Sequence, residues 1–343
     1  MVKVLRYILF PFALVYGGIV FLRNKLFDFN ILKSSRFDVK TILVGNLSAG
    51  GTGKTPHIEY LVKILNRNKK LATLSRGYGR KTHGFILANE NSTAKDIGDE
   101  PLQFFNKFSQ VKVAVSAKRV DGVIELMSLS DSPEVILLDD AFQHRQLKAG
   151  LSILLMDFNA PFYRDFMLPT GNLREFSFGK KRADIIIVTK CPADLSGEEQ
   201  ELVRSKISAC SIPVFFSNIV YGKPELLFGS ATVEFDKAKR IVLVTGIANS
   251  NPLLDYITTF RKEITHLNYP DHHSFSKKEV DRMKHECLKQ PDSVILTTEK
   301  DAMRLREFDS LEELPLFYLP IEVKLLDNEN KFLQLIYNYV KND

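Results

Sequence analysis

One stretch of this sequence has the residue types and the spacing of a phosphate-binding loop. Residues 45–56 read Gly-Asn-Leu-Ser-Ala-Gly-Gly-Thr-Gly-Lys-Thr-Pro, after an apolar run at 41–44 and before a helical pattern. The backbone N–H groups of such a turn, together with the N-terminus of the helix, can surround a phosphate group. The residues predicted to bind ATP are Gly50, Gly51, Thr52, Gly53, Lys54 and Thr55.

Two side chains of this loop have distinct predicted roles. Lys54 would reach the β- and γ-phosphates, and Thr55 would ligate Mg²⁺. Ser48 stands where the usual pattern has glycine, and the neighbouring glycines can supply the lost flexibility. A plain strand-to-helix turn is the alternative, but the complete strand–loop–helix context favours the phosphate-binding loop.

A second pattern, four apolar residues followed by two carboxylates, lies at 135–140. A carboxylate at the end of such a strand approaches the Mg²⁺ that accompanies a nucleotide. Asp139 or Asp140 is therefore predicted to hold the metal, directly or through water, and the spacing leaves open which one does. Gln143 and His144 follow, polar groups at the carboxyl end of a strand, where the sites of α/β proteins lie.

Three further sets of polar residues have both a functional and an ordinary structural interpretation. Asp99, in the sequence Gly-Asp-Glu-Pro, is either a helix N-cap or a carboxylate that accepts the proton of an attacking hydroxyl. One of the two histidines in the sequence Asp271-His272-His273 could set the pKa and the orientation of such a carboxylate. The arginines that could hold an anionic group, each otherwise a solvated surface charge, are Arg76, Arg80, Arg119 and Arg174.

The N-terminal region is apolar in the middle and basic at both ends. Residues 7–22 carry no charge, and Arg6 and Arg23 flank them directly. As a helix this run spans ~24 Å, less than the ~30 Å hydrocarbon core of a bilayer. We therefore predict a helix within residues 1–30 that lies in or dips into the cytoplasmic leaflet of a membrane. A buried core helix is the alternative, and a signal peptide is disfavoured because no small-residue cleavage site follows.

The composition is that of an ordinary globular protein. The chain has 343 residues, of which 45% are hydrophobic and 26% are charged. Its first forty residues hold seven basic and two acidic side chains, a net +5 of the whole chain's +6. Basicity confined to one region suits an anionic membrane surface or substrate better than a nucleic-acid groove. Cys191, Cys210 and Cys287 have no metal-like spacing, so we expect reduced thiols in a cytosolic protein.

Apolar runs alternate with helical patterns along the rest of the chain. This alternation predicts an α/β fold with a mostly parallel sheet, P-loop NTPase-like and flanked by helices. The pattern restarts near residue 220, with a hinge expected between 217 and 240 and a closing amphipathic helix at 327–341. We therefore predict a kinase core at 31–220 and a second, smaller α/β domain at 221–343.

Taken together, the motifs resemble those of the tetraacyldisaccharide 4'-kinase family, the lipid A biosynthesis kinases of Gram-negative bacteria. They occur in the family's order and span nearly the whole chain, including the basic, hydrophobic N-terminus. The family usually has glycine where Ala141 stands and often threonine where Ser48 stands. The motifs that carry the resemblance are residues 44–46 with 50–56, 75–79, 98–101, 139–145, 168–175, 271–273 and 297–302.

The resemblance implies a membrane-associated kinase that moves the γ-phosphate of ATP to the 4'-hydroxyl of tetraacyldisaccharide 1-phosphate, which forms lipid IVA. By the family's pattern Asp99 is the catalytic base, and His272 supports it from the second domain. His272 is chosen over His273 because the Asp-His step is the constant part of the motif. Lys54 would neutralise charge during transfer. The residues expected at the substrate are Asn46, Arg76, Arg119, His144, Arg174 and Glu175.

The resemblance also implies partners and a location. The cofactors are ATP and Mg²⁺, and the partners are the lipid disaccharide and the anionic surface of the inner membrane. We expect a monomer that binds no nucleic acid and sits on the cytoplasmic face of the bacterial inner membrane, as a peripheral or monotopic protein.

Two other classes of protein compete with this interpretation. Membrane-bound partitioning or scaffold ATPases share the glycine-rich loop but carry a lysine just before the paired glycines, where this chain has Ala49. A soluble small-metabolite kinase would not need the hydrophobic N-terminus. Both classes would bind ATP, and neither would phosphorylate a lipid disaccharide.

Overall fold

The structure is a computed structural model that describes residues 6–207, 211–229 and 233–341. The predictions for Cys210 and for the first five residues of the 1–30 segment therefore fall outside the described residues. Cys191 and Cys287 are buried free thiols, as expected for reduced cysteines. Burial raises the pKa of both thiols, to about 12 for Cys191 and about 11 for Cys287, so both are protonated at neutral pH.

Fourteen strands lie in the described parts of the chain. Most follow the apolar runs seen in the sequence. They are β1 (Lys40–Asn46), β2 (Leu71–Ser75), β3 (Ile86–Leu87), β4 (Lys112–Val115), β5 (Val135–Asp139), β6 (Leu151–Asp157), β7 (Ile185–Thr189), β8 (Val214–Tyr221), β9 (Glu225–Leu226), β10 (Arg240–Thr245), β11 (Glu263–Asn268), β12 (Ser293–Thr298), β13 (Leu316–Leu319) and β14 (Ile321–Leu325).

Ten α-helices from the same described ranges cover these strands. Four short 3-10 helices add to them, at Phe162–Arg164, Ser177–Arg182, Phe235–Lys237 and Asp309–Leu311. The α-helices are α1 (Phe10–Asp28), α2 (Lys54–Leu65), α3 (Ala94–Ile97), α4 (Asp99–Lys107), α5 (Arg119–Met127), α6 (Gly197–Ile207), α7 (Asn251–Thr258), α8 (Lys277–Leu288), α9 (Glu299–Leu305) and α10 (Glu329–Lys341).

The larger sheet has nine strands from the described residues, in the order β14-β8-β7-β6-β1-β5-β2-β4-β3. From β8 to β4 all neighbours are parallel, and only the edge strands β14 and β3 pair antiparallel. The predicted P-loop NTPase-like sheet is therefore confirmed. Strand β1, which leads into the glycine-rich loop, lies between β5 and β6 in the middle of the sheet.

Side chains of the larger sheet alternate between two hydrophobic cores, one on each face. Leu43 and Ile136 belong to one core, and Ile42 and Leu137 belong to the other. Burial of both faces is what continuous apolar runs predict for parallel strands. Helix α10 covers the second core, where Phe332, Ile336 and Val340 pack.

The smaller sheet has the order β11-β10-β12-β13-β9, with β9 antiparallel at its edge. The second α/β unit expected from the sequence is therefore present. The chain then returns to the larger sheet, because β14 pairs antiparallel with β8 and α10 packs on the larger core. Residues 321–341 thus differ in placement from the 221–343 unit predicted from the sequence, although the closing helix itself forms as expected.

Helix α1 has one face against the protein and one exposed apolar face. Its buried residues Ala13, Gly17, Asn24 and Phe27 recur at helical spacing and form a stripe. A Cβ atom on Gly17 would come within 2.9 Å of the ring of Phe176, so glycine allows this close approach. Among the described helices, α1 is long and apolar enough to cross a membrane, by length and composition only.

Candidate active site

The phosphate-binding loop forms at the carboxyl end of the central strand β1. Gly50 and Gly53 have φ values of +112° and +84°, which glycine adopts without strain. Lys54 then begins α2, so the backbone N–H groups of the first helical turn point into the loop. Thr189 at the end of β7 fixes the loop from the side, because its hydroxyl donates to the carbonyl of Thr52 at 2.9 Å.

Lys54 points toward the predicted metal-binding carboxylates. Its Nζ atom lies 3.4 Å from Oδ1 of Asn46 and 3.6 Å from Oδ1 of Asp140. Arg174 also contacts Asp140, with Nη1 3.0 Å from both carboxylate oxygens. Burial alone would raise the pKa of Asp140, but the charges of Lys54 and Arg174 lower it overall. Asp140 is therefore a carboxylate held by two cations, with a positive φ of 47°.

Asp139 has the opposite electrostatic character. Its side chain is buried, and burial together with the charges of Asp140 and Glu100 raises its pKa to about 7. Its Oδ1 atom has no hydrogen-bond partner within the described ranges. A buried carboxylate oxygen without a partner fits a cation, because a divalent ion would replace the missing interaction.

The small number of protein groups at this point is compatible with Mg²⁺. Among the described residues, no group of three or more His, Cys, Asp or Glu side chains forms a metal cluster. Mg²⁺ usually takes one or two protein ligands and completes its shell with phosphate oxygens and water. Thr55, Asp139 and Asp140 could supply these protein ligands.

Asp99 and His272 meet between the two sheets, although 173 residues separate them. Asp99 begins α4 directly after Gly98, whose φ of +92° turns the chain into the helix. Nδ1 of His272 lies 3.1 Å from Oδ2 of Asp99. His273 faces elsewhere, with Nε2 3.0 Å from Glu279 in the capping turn of α8. The structure thus brings together the pair that the resemblance implies.

Two cations of α9 complete this cluster, and sequence reasoning had assigned them no role. Nη2 of Arg304 donates to Oδ2 of Asp99. Nζ of Lys300 lies 3.0 Å from Nε2 of His272. Burial would raise the pKa of Asp99, but the bonds from His272 and Arg304 and the nearby positive charges lower it to about 2. The helical i, i+4 spacing of Lys300 and Arg304 is the one signal that could have predicted a shared face.

The remaining basic residues predicted at the substrate lie near the end of β5. Arg119 is 2% exposed, and its guanidinium donates to the carbonyls of Ser116 at 2.7 Å and Asp139 at 3.1 Å. Burial lowers its pKa to about 10. Burial also lowers the pKa of His144, to about 4, with the charges of Arg119 and Arg76 acting in the same direction. His144 is therefore neutral at pH 7 beside two arginines.

Two polar residues predicted at the substrate have other partners in the structure. Glu175 is 1% exposed, and its carboxylate binds Arg182 at 2.8 Å, Gln143 at 2.8 Å and Asn24 of helix α1 at 3.1 Å. Asn46 is fully buried, and its carbonyl accepts a hydrogen bond from Gln143 at 2.8 Å. These contacts support the surrounding loops, and they leave the Glu175 carboxylate facing protein groups.

Comparison with known proteins identifies the family. The family model for tetraacyldisaccharide-1-P 4'-kinase matches residues 5–341. The tetraacyldisaccharide 4'-kinase of Flavobacterium psychrophilum is 49% identical, over 98% of this chain and 97% of its own. That of Flavobacterium johnsoniae is 46% identical, over 99% and 98%. That of Bacteroides thetaiotaomicron is 45% identical, over 97% and 93%.

A solved structure agrees with these matches. The crystal structure of LpxK from Aquifex aeolicus in complex with ATP is 30% identical in sequence and has a TM-score of 0.77. The alignment covers 98% of this chain and 99% of that one. Sequence and structure therefore agree over nearly the full length of the chain, which belongs to the tetraacyldisaccharide-1-P 4'-kinase family.

Proposed function

We propose that this chain transfers the γ-phosphate of ATP to the 4'-hydroxyl of tetraacyldisaccharide 1-phosphate and so forms the lipid A precursor lipid IVA. Membership of the kinase family over nearly the full length supports this reaction. The observation that carries the assignment of the site is the contact between Asp99 and His272, because it joins a carboxylate at the start of α4 to a histidine in the turn after β11.

On the acceptor side, Asp99 receives the hydrogen bond, and finally the proton, of the attacking 4'-hydroxyl. His272 holds the Asp99 carboxylate in place. Lys300 donates to Nε2 of His272, which leaves Nδ1–H of the same ring to donate to Asp99. The transition state of phosphoryl transfer is loose, so the hydroxyl proton can leave late and orientation matters more than base strength.

On the donor side, the glycine-rich loop and Lys54 hold the phosphates of ATP. The Lys54 ammonium reaches Asp140 at 3.6 Å, at the point where strands β1 and β5 end. The γ-phosphate would compete with Asp140 for this cation and draw Lys54 toward the transferred group. Thr55 and Asp139 or Asp140 would hold Mg²⁺, which would supply further neutralisation of the phosphate charge.

Three arginines and the neutral His144 bind the anionic group of the lipid substrate. Arg76 is exposed, Arg174 and His144 are half-buried, and Arg119 is buried beneath them. Charges in a partly buried cluster attract a phosphate more strongly than solvated ones do. The contacts of Glu175 favour support of these loops over direct contact with the lipid, whereas the buried Nδ2 atom of Asn46 has no hydrogen-bond partner among the described residues.

The protein works as a peripheral monomer on the cytoplasmic face of the inner membrane, where the acyl chains of its substrate remain in the bilayer. The exposed apolar face of helix α1 supports this location, since Phe12, Leu14 and Ile19 are each more than 60% exposed. His272 already contacts Asp99 in this structure, and Lys107 of α4 pairs with Glu299 of α9, so this part of the site is assembled between the two sheets.

The test is transfer of labelled phosphate from ATP to tetraacyldisaccharide 1-phosphate in detergent with Mg²⁺. We expect Asp99→Ala to lower turnover at least about 100-fold and Lys54→Ala to lower it further. The matched controls are Asp121→Ala and Lys118→Ala, because both side chains are largely exposed. Normal turnover of Asp99→Ala would refute the assignment of the base. ATP hydrolysis without labelled lipid would instead favour a scaffold ATPase.

A further inference from the structure

Helix α1 contains one buried amide side chain, Asn24, which lies between the charged residues Arg23 and Lys25. Asn24 is 6% exposed, and its Nδ2 atom donates to Oε2 of Glu175 at 3.1 Å. Membrane attachment makes no use of an amide buried against protein, and burying an amide costs free energy unless its bonds are made. The position of Asn24 therefore points to a role other than membrane attachment.

A line of hydrogen bonds leads from Asn24 to the phosphate-binding loop. The second carboxylate oxygen of Glu175 accepts from Nε2 of Gln143 at 2.8 Å. The same Nε2 group donates to the carbonyl of Asn46 at 2.8 Å. Asn46 is the last residue of strand β1, and its side chain lies 3.4 Å from the ammonium of Lys54. Three hydrogen bonds thus join the helix to the strand that carries the loop.

A second connection runs from the same helix to Arg174. The hydroxyl of Tyr16 donates to the carbonyl of Arg174 at 3.0 Å. The side chain of Arg174 in turn holds Asp140, which also contacts Lys54. Tyr16 lies eight residues before Asn24, about two helical turns, so both side chains face the same loops.

The backbone of the same region is tied to the helix as well. Arg145 donates from Nη1 to the carbonyl of Asn24 at 2.7 Å and pairs with Asp28 at 2.8 Å. Arg23 donates to the carbonyl of Gln143 at 2.9 Å. The loop after β5 is therefore held from two sides, by α1 and by the segment that carries Arg174 and Glu175.

We propose that Asn24 and Tyr16 are positioning residues, through which docking of helix α1 sets the positions of the phosphate-binding loop and of Arg174. The helix is then a part of the active-site framework as well as a surface for the membrane. Glu175 acts as the connecting residue between the helix and Gln143. This inference rests on the proposed kinase function and deepens it.

The experiment compares the inner and outer faces of the helix in the full-length protein. Asn24→Leu removes the amide but keeps a side chain of similar volume, and Tyr16→Phe removes one hydroxyl alone. The matched controls are Leu14→Ser and Tyr7→Phe, whose parent side chains are 61% and 58% exposed. The measurements are kcat and the KM of the lipid in detergent micelles, sedimentation with anionic phospholipid vesicles, and the folded fraction by circular dichroism.

We expect Asn24→Leu to lower kcat about tenfold and Tyr16→Phe about threefold, the range expected when one buried hydrogen bond is lost. The KM of the lipid and the vesicle-bound fraction stay within about twofold of the parent values, because the outer face is untouched. Tyr7→Phe leaves all of these values unchanged. Leu14→Ser reduces vesicle binding without changing kcat in micelles.

A double-mutant cycle separates positioning from simple loss of stability. Since Asn24 acts through Gln143, Gln143→Ala should lower kcat less in the Asn24→Leu background than in the parent. Additive losses, a kcat within twofold of the parent for both inner-face variants, or a loss that vanishes after correction for the folded fraction would each overturn the inference. A parent enzyme that labels no lipid would instead overturn the proposed function.

Discussion

At the scale of single residues, the ionisation of Asp99 is controlled by side chains from the helix and the loop beside the smaller sheet. Arg304 and His272 hold the pKa of this carboxyl at about 2, although burial alone would raise it. Such a carboxylate is a weak proton acceptor, so its main effects on transfer are to orient the hydroxyl and to be negatively charged at every pH at which the protein works. The proton passes to it late, when the new bond to phosphorus has largely formed.

This reasoning predicts the effect of removing Arg304. Arg304→Gln should raise the pKa of Asp99. Burial raises this pKa, and the variant lacks one of the positive charges that lower it. Ionised Asp99 is required, so activity is lost as the pH falls through this pKa. The acid limb of kcat/KM should therefore move to higher pH in the variant, while turnover at pH 8 falls only several-fold.

The check is a pH profile of kcat/KM for the parent and the variant, from the lowest pH at which both stay folded up to pH 9. Arg306→Gln is the matched control, because Arg306 follows the same helix α9 but is exposed. An acid limb that stays at the parental position, with Arg304→Gln folded, would contradict the role given to Arg304.

At the scale of elements, helices α2, α4 and α9 are joined by one half-buried lysine. Lys107 of α4 lies 2.7 Å from Glu59 of α2 and 2.5 Å from Glu299 of α9. Both carboxylates are less than 10% exposed, so one cation serves two buried anions. Burial first, and then the charge of Glu59, raises the pKa of Glu299 to about 6. This contact holds the smaller sheet against the helix that begins with Asp99.

We therefore expect Lys107→Met to destabilise the protein strongly, by about 3 kcal/mol at pH 8, because two buried carboxylates lose their cation. A carboxyl whose pKa is raised on folding stabilises the fold while it is protonated, and this contribution is lost as the pH rises through the folded pKa. The loss should thus be smaller at pH 5, where Glu299 of the variant is largely protonated. Urea unfolding at both pH values measures the difference.

Lys70→Met is the control for this prediction. Lys70 pairs with Asp131 at 2.5 Å, close to the Lys107 distances, but both side chains are more than half exposed. Exposed ion pairs contribute little to the free energy of unfolding, so this variant should unfold like the parent. Equal destabilisation of the two variants, or an effect of Lys107→Met that does not depend on pH, would argue against a buried charge network.

At the scale of the whole molecule, local sequence patterns predicted those structural elements whose conformation depends on residues close together in the sequence. The glycine-rich loop, the strand that ends in Asp139 and the mostly parallel sheet follow from spacing and apolar runs. The meeting of Asp99 and His272 required knowledge of the family, because no local pattern joins residues from two sheets. Arg304 was not assigned a role, since an arginine near the end of a helix is ordinary. The return of β14 to the larger sheet was missed because a strand pattern does not specify its neighbour.

The outer face of helix α1 leads to the last prediction, which concerns how the molecule meets a membrane. Phe12, Leu14 and Ile19 are 65%, 61% and 65% exposed, and Phe166 and Phe178 of the neighbouring loops are also exposed. Replacing all three helix residues by serine should weaken binding to anionic vesicles about a hundredfold, since each loses roughly 1 kcal/mol of apolar transfer free energy. Activity on micellar substrate should remain, because the buried stripe with Asn24 is intact.

Control variants and the salt dependence distinguish membrane binding through α1 from non-specific adsorption of exposed apolar side chains. Ile124→Ser and Leu288→Ser remove apolar side chains that are 52% and 69% exposed on other helices, so vesicle binding should not change. Raising the ionic strength should weaken binding of the parent, because Arg23 and Lys25 lie beside the apolar face and their attraction to anionic lipid is screened. If the control variants lose binding as much as the helix variant does, then the membrane meets some other face, and the exposed residues of α1 need a different partner.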